Sequence, residues 1–131
     1  MRVLLVDDHT ILRQALCLML GAEPDIEIVG EAGNGREAVA LTHHLQPDLV
    51  LMDIGMPVMN GIDATRAIHA ECPAVCVIGL SMYEKHEQAE AMRAAGAMEY
   101  FTKSAAPDEL VAVMRACYQQ MRERRPPQAA A

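Results

Sequence analysis

The stretch LVLMDIGMPVMNG, residues 49–61, decides the fold. Four apolar residues at 49–52 lead directly into the carboxylate of Asp53, and Gly55 and Pro57 follow it. A continuous apolar run is typical of a strand buried on both faces of a sheet, and glycine and proline end regular structure. An unpaired carboxylate is costly to desolvate. The rest of the chain is therefore expected to supply a counter-charge or a metal ion for Asp53.

Strand and helix patterns alternate along the whole chain. Short apolar runs predict strands at residues 2–6, 26–32, 49–53, 74–81 and 97–103. Helical spacing of apolar residues predicts helices at 11–20, after Asn34, at 61–70, at 83–95 and from Pro107. The run at 26–32 alternates between apolar and polar residues, as an edge strand would. This order predicts an α/β sandwich around a five-stranded parallel sheet.

Local signals mark individual helices. Asn34 is placed to cap the second helix, and Gly96 is placed to end the fourth. In the first helix, an apolar stripe recurs at helical spacing; it consists of Leu12, Ala15, Leu16 and Met19.

Composition limits the classes of function. Eighteen acidic and 11 basic residues leave a formal charge of −7, which argues against direct binding of nucleic acid or an anionic membrane. Ten methionines and few aromatic residues must fill the core. The four cysteines lack zinc-site spacing and are expected to be reduced thiols. No signal peptide or membrane-spanning run is visible, so we expect a cytoplasmic protein with no membrane partner.

The chain divides into one domain and a short tail. Its length suits a single core, and the periodic patterns end near residue 121. Residues 1–121 are therefore expected to form the domain. The tail RERRPPQAAA, residues 122–131, is expected to be a disordered linker stub.

Polar side chains follow four of the five predicted strands. They are Asp7, Asp8, Asp53, Ser81 and Lys103. Ligands bind beyond the carboxyl ends of the strands in open parallel sheets, so these groups are expected to converge there. Carboxylate oxygens suit Mg²⁺, and Asp53 beside such an ion is a plausible nucleophile toward phosphorus. Taken singly, each residue is more commonly a cap, a turn residue or a surface charge.

Four motifs together resemble the receiver domain of two-component response regulators. They are VLLVDDH, LVLMDIGMPVMNGID, VIGLSM and YFTKS, and the resemblance covers residues 2 to about 120. It implies a flavodoxin-like fold with strand order 2-1-3-4-5. The segments VDDHTILRQAL, VGEAGNGREA and LSMYEKHEQ are more similar to the NarL/FixJ (LuxR-type) class than to the chemotaxis class.

The resemblance also implies roles for the acidic residues. Asp53 would accept a phosphoryl group from a sensor histidine kinase. Asp8, Asp53 and the backbone carbonyl of Gly55 would bind Mg²⁺, with Asp7 assisting through a water molecule.

Three further residues would act on the phosphoryl group or respond to it. Ser81 and Lys103 would stabilise the phosphoryl group, and Ser81 would form a conformational switch with Tyr100. One departure from the family pattern is Ser104, since many receivers have proline after the lysine. Another is Met82, which is bulkier than the small residue common at that position.

The resemblance implies a regulatory protein rather than an enzyme, which at most catalyses its own phosphorylation and slow dephosphorylation. Homodimers would form on phosphorylation, and DNA would be bound only through a C-terminal helix-turn-helix domain absent from this chain. The alternative is a stand-alone receiver, or a pseudo-receiver that acts as an interaction module. A haloacid-dehalogenase-type phosphatase would resemble D-x-D-x-T/V after the first strand, which residues 7–10 do not fit. A flavodoxin would need a Ser/Thr-rich phosphate loop there, which is also absent.

Overall fold

Strands and helices alternate along the chain in this computed structural model, which describes residues 1–56, 58–81, 86–103 and 106–124. The strands are β1 (Arg2–Val6), β2 (Glu27–Ala32), β3 (Leu49–Asp53), β4 (Cys76–Ser81) and β5 (Glu99–Thr102). The helices are α1 (Thr10–Gly21), α2 (Gly35–Leu45), α3 (Gly61–Glu71), α4 (His86–Ala95) and α5 (Pro107–Arg124). Every predicted strand and helix is thus present.

The five strands form one parallel sheet in the order β2-β1-β3-β4-β5. This order confirms the predicted flavodoxin-like fold. All five residues of β3 are buried, as its continuous apolar run predicts. Residues of β2 are mostly half-buried or exposed, which confirms that this strand lies at an edge.

Two apolar clusters cover the two faces of the sheet. One packs the sheet against α2, α3 and α4, and its helical members include Ala38, Ile68 and Met92. The other packs the sheet against α1 and α5, and its helical members include Leu20, Leu110 and Met114. Methionine fills positions in both clusters, because its flexible side chain adapts to irregular gaps that few aromatic residues are available to fill.

The predicted apolar stripe of α1 is only partly buried. Leu20 is the buried residue of this helix; Leu12, Leu16 and Met19 are half-buried and Ala15 is exposed. An apolar groove of about 190 Å³ between α1 and α5 leaves this face partly open to solvent. The four cysteines are free thiols, as expected.

Several boundaries differ from those predicted. β4 begins at Cys76 rather than at residue 74, because Val75 N–H closes a turn by donating to the Cys72 carbonyl. β5 covers Glu99–Thr102 and is shorter than the predicted run 97–103. Helix α5 continues through residues 122–124, which were assigned to the linker. Arg122 lies over the Tyr118 ring at 5.6 Å, and basic side chains favour a helix C-terminus. None of the helices described is long and apolar enough to cross a bilayer.

Other predictions fall on parts of the chain that lie outside the described residues. These are the first turn of the predicted helix 83–95, the departures at Met82 and Ser104, and the tail beyond residue 124.

Two predicted helix signals are confirmed. The Asn34 side chain accepts a hydrogen bond from Glu37 N–H and so caps α2, which typically contributes about 1 kcal/mol. Gly96 follows α4 with a φ of +119°, a conformation that other residues rarely adopt. A Cβ atom at Gly96 would also overlap the His69 ring. Only glycine therefore suits this end of α4.

We predict that Gly96→Ala lowers the free energy of unfolding by about 3 kcal/mol, because it combines backbone strain with a clash against α3. Urea unfolding would measure the change. The matched control is Gly21→Ala, where a Cβ atom would meet nothing within 4 Å. The control should be neutral or slightly stabilising, since Gly21 lies in the last turn of α1. Equal losses in both variants would contradict this prediction.

Candidate functional site

Parallel strands bring the predicted polar residues to one edge of the sheet. Asp7 directly follows β1, and its N–H donates to the Ala32 carbonyl of β2 at 3.0 Å. Asp53 ends β3. Lys103 follows β5, and its N–H donates to the Ser81 carbonyl at the end of β4 at 2.7 Å. These bonds continue the sheet beyond the strands and hold the backbone from which the functional side chains project.

Lys103 is the buried cation of the site. Its side chain is 6% exposed, and its ammonium lies 2.8 Å from Asp7 Oδ2 and 3.4 Å from Asp53 Oδ1. These contacts are close ion pairs without the angles of directed hydrogen bonds. One lysine thus offsets two buried carboxylates. This arrangement confirms that Asp53 has a counter-charge within the protein.

The two buried carboxylates differ in their affinity for protons. Burial raises the pKa of Asp53 to about 6, and the nearby negative charge of Asp7 adds to this effect. Burial also disfavours the charged form of Asp7, but contacts with Lys103 and His9 outweigh it and lower the pKa of Asp7. The Oδ2 atoms of both carboxylates are buried and have no hydrogen-bond partner among the described residues, but Asp53 lies farther from Lys103 than Asp7 does. Asp53 is therefore the less well compensated carboxylate.

Helix α3 begins tightly against the end of β3. Gly61 N–H donates to the Ile54 carbonyl at 2.9 Å, and a Cβ atom at Gly61 would overlap the Asp53 carbonyl oxygen. The Asn60 side chain caps the same helix by accepting from Asp63 N–H at 2.9 Å. Only glycine permits this close approach between α3 and the end of β3. The close packing fixes the backbone of Asp53.

The loop between β3 and α3 contains the predicted carbonyl ligand. Gly55 is exposed two residues after Asp53, and the role of its carbonyl stays a prediction. Val58, further along the loop, is 70% exposed and has a φ of +70°. A positive φ is strained for a β-branched residue, and no pattern in the sequence indicated it.

Four residues beside this loop could together hold a metal ion. Asp7, Asp8, His9 and Asp53 each offer a ligand atom, and these atoms all lie within 4.8 Å of one another. The carboxylates suit a hard dication, and the unpartnered Oδ2 of Asp53 gives such an ion a place to bind. Asp7, Asp8 and Asp53 were predicted from the sequence.

His9 and Arg13 were missed by the sequence interpretation. His9 Nδ1 lies 3.2 Å from Oδ1 of Asp7 and 3.2 Å from Oδ1 of Asp8. Arg13 donates to the Asp7 carbonyl at 2.6 Å and pairs with Glu31 at 3.0 Å. The position of His9 directly after two aspartates was the available signal. The Arg13 contact depends on how α1 packs against β2, which no motif reveals.

The two predicted switch residues lie on neighbouring strands. Ser81 ends β4 and is buried, with Thr102 as its partner on β5. Tyr100 is half-buried and lies opposite Gly79, where a Cβ atom would approach the tyrosine ring to 3.1 Å. Gly79 and Ser81 face the same side of the sheet, because side chains alternate along a strand. Ser81 and Tyr100 are thus brought to one side, and their role as a switch stays a prediction.

We predict that Asp53→Asn stabilises the metal-free protein near pH 7 by up to about 3 kcal/mol. The folded-state pKa of about 6 exceeds the ordinary value of 3.8, so the folded state binds more protons between these values. Asp53 therefore lowers stability as pH rises through this range, and each pKa unit corresponds to about 1.4 kcal/mol. Urea unfolding with a chelator would measure the difference near pH 7 and near pH 4, where it should shrink.

The control for this variant is Asp63→Asn, which changes a half-exposed carboxylate in the first turn of α3. It should lose stability slightly at neutral pH, because a negative charge is favourable at a helix N-terminus. A stabilisation by Asp53→Asn that is larger near pH 4 than near pH 7 would contradict the assigned electrostatics.

Relatives of this chain are bacterial regulators. The family model of the response regulator receiver domain matches residues 3–115. The chain is 40% identical over 115 residues to the transcriptional regulatory protein LiaR of Bacillus subtilis, covering 88% of this chain and 54% of LiaR. It is 35% identical over 114 residues to the response regulator protein VraR of Staphylococcus aureus, covering 87% of this chain and 54% of VraR. The chain thus spans about half the length of these relatives.

Solved structures agree with the fold and the class. A LuxR-family two-component response regulator from Aurantimonas sp. SI85-9A1 matches with 35% identity and a TM-score of 0.87, covering 91% of this chain and 85% of that chain. CheY in a CheX–CheY–BeF3–Mg²⁺ complex from Borrelia burgdorferi matches with 28% identity and a TM-score of 0.80, covering 88% and 87%. The chain belongs to the response regulator receiver domain family, within its NarL/FixJ (LuxR-type) class.

Proposed function

We propose that this domain is a phosphorylation-dependent switch in which Asp53 accepts a phosphoryl group from a sensor histidine kinase. The observation that carries the proposal is the Asp53 carboxylate itself. It is buried at the end of the central strand, has an unpartnered oxygen, and is flanked by Lys103 and by the cluster of Asp7, Asp8 and His9. Its pKa of about 6 leaves it ionised, and hence nucleophilic, near pH 7.

The residues around Asp53 suit phosphoryl transfer, which depends mainly on positioning and on neutralising oxygen charge. A carboxylate oxygen of Asp53 attacks the phosphorus of a phosphohistidine, an acyl phosphate bond forms, and the imidazole of the donor leaves. Lys103, 3.4 Å from Asp53 Oδ1, is placed to pair with the phosphoryl oxygens. The Ser81 hydroxyl is the second proposed donor.

Mg²⁺ is the proposed cofactor. Asp8, Asp53 and the Gly55 carbonyl would hold the ion, and Asp7 would assist through a water molecule. When bound, it would neutralise charge on the transferring phosphoryl group. The carboxylate cluster fits this ion, because three negative charges meet one buried lysine and leave an excess of negative charge.

The phosphoryl group is proposed to act through Ser81 and Tyr100. The Ser81 hydroxyl would move inward to donate to the phosphoryl oxygens, and Tyr100 would turn into the space left behind it. Helix α4 is the expected mover, because the residues it buries are Ala89, Met92 and Ala95, two of which are small. Phosphorylation would then favour a state that the domain already samples.

The output is proposed to be transcriptional. The matched segments make up 54% of the relatives named as regulators, and the rest of their length leaves room for a C-terminal helix-turn-helix domain that binds DNA. Phosphorylation would favour a homodimer. The domain is regulatory, and any catalysis is limited to its own phosphorylation and slow dephosphorylation. A cytoplasmic location and the absence of a membrane partner stay predictions.

Phosphorylation provides the direct test. Incubation with a small phosphodonor and Mg²⁺ should add one phosphoryl group to the parent protein, as measured by intact mass. Asp53→Asn should take none, because the attacking carboxylate is gone, whereas Asp63→Asn should be labelled like the parent. Chelating Mg²⁺ should abolish labelling. Labelling of Asp53→Asn would place the acceptor elsewhere, and no labelling of the parent would favour a pseudo-receiver that acts only as an interaction module.

The switch is tested separately by Ser81→Ala. This variant should still accept a phosphoryl group, but a beryllofluoride mimic should shift the NMR signals of residues 86–103 and 106–124 much less than in the parent. Ser81→Thr keeps the hydroxyl and should restore most of the shifts. Equal shifts in the parent and Ser81→Ala would exclude the hydroxyl as the coupling group.

A further inference from the structure

We propose that His9 is a metal ligand, which makes the cation site a mixed carboxylate–imidazole site that prefers first-row transition dications to Mg²⁺. The inference rests on the proposed function, because it concerns the same cation site. His9 would determine which ion that site selects.

The His9 ring is directed toward the carboxylates rather than toward the helix. His9 is the N-cap residue of α1, yet its side chain makes no capping hydrogen bond. Nδ1 instead lies 3.2 Å from an oxygen of Asp7 and 3.2 Å from an oxygen of Asp8. The backbone holds this placement, since His9 N–H donates to Asp7 Oδ1 at 2.8 Å.

An ion pair with Asp7 or Asp8 explains the position of His9 less completely than metal binding does. Asp7 already has Lys103 at 2.8 Å and the backbone N–H of His9, so its charge is compensated without the imidazole. Asp8 is 28% exposed and can be solvated by water. The Oδ2 atoms of Asp7 and Asp53 are both buried without a hydrogen-bond partner among the described residues, and Asp53 lies farther from the Lys103 ammonium, at 3.4 Å against 2.8 Å. A shared dication would satisfy Asp53 and Asp8 together, and His9 lies beside them.

The dimensions of the cluster suit one ion. Ligand atoms of Asp7, Asp8, His9 and Asp53 lie within 4.8 Å of one another, and ligands on opposite sides of a small dication are about 4.2 Å apart. Small side-chain rotations are sufficient to close this difference. The His9 ring is 60% exposed, so such a rotation meets little resistance from packing.

Ligand chemistry determines the preferred ion. Mg²⁺ favours oxygen ligands and retained water, whereas imidazole nitrogen favours transition metals. A site with three carboxylates and no histidine would discriminate weakly between Mg²⁺ and Mn²⁺. Adding the imidazole strengthens the binding of Mn²⁺ and leaves that of Mg²⁺ nearly unchanged.

Mn²⁺ alone is the probe, because its bound and free forms differ in their electron paramagnetic resonance spectra. Spin-echo envelope modulation of bound Mn²⁺ should show coupling to ¹⁴N in the parent protein. Titration should show that His9→Gln weakens Mn²⁺ binding by about 10-fold. Competition should show that Mg²⁺ affinity changes less than 2-fold. The matched control is His44→Gln, which removes an exposed imidazole from α2 and should behave like the parent.

Each other outcome overturns a stated part of the inference. Mn²⁺ binding without ¹⁴N coupling, or with equal affinity in His9→Gln, would overturn the role of His9 and leave an oxygen-only Mg²⁺ site intact. If the parent binds neither ion, or if Asp8→Asn binds both as the parent does, the proposed cation site itself is wrong. The ¹⁴N measurement uses the parent protein, so it does not depend on the folding of any variant.

Discussion

Three carboxylates and one lysine at the carboxyl edge of the sheet are the constraint on which the rest of the structure depends. Lys103 lies 2.8 Å from Asp7 and 3.4 Å from Asp53, and Asp8 stands beside them. Because Asp7 and Asp53 are buried, their repulsion is weakly screened by solvent. One ammonium cannot balance three negative charges. The edge therefore favours a dication, and the phosphorylation proposed for Asp53 would change its charge balance.

The scaffold keeps this unfavourable arrangement in place. β1 and β3 are central strands, and residues 3–6 and 49–53 are all buried between helices on both faces. The close approach of Gly61 to the Asp53 carbonyl fixes the backbone of Asp53 from the other side. Stability lost through buried charge at a functional site is commonly offset by packing elsewhere. Here the two apolar clusters provide that packing.

The same geometry places the proposed acceptor site and the proposed switch residues on different strands. The acidic cluster lies at the ends of β1 and β3, whereas Ser81 and Tyr100 lie on β4 and β5. Lys103 connects the two groups, because its side chain pairs with the acids and its N–H donates to the Ser81 carbonyl. A change in charge at Asp53 would therefore act, through Lys103, on the neighbouring face formed by α4, β5 and α5. Helix α4 buries mainly small residues, so moving it costs less contact area than moving α5, which buries Leu110, Val111, Met114 and Cys117.

The sequence by itself determined the elements, the parallel sheet and the acidic cluster at its edge. Strand periodicity and helix caps are local, and a parallel sheet necessarily brings the residues after its strands to one edge, so Asp7, Asp8, Asp53, Ser81 and Lys103 could be predicted. Only the tertiary structure decided that Lys103 contacts Asp7 more closely than Asp53, and that His9 turns from its helix toward two carboxylates. It also decided that the apolar stripe of α1 is only partly buried, and that Arg13 donates a hydrogen bond to the Asp7 carbonyl in the loop between β1 and α1. These features depend on distances between elements remote in sequence, and residue spacing along the chain carries no information about such distances.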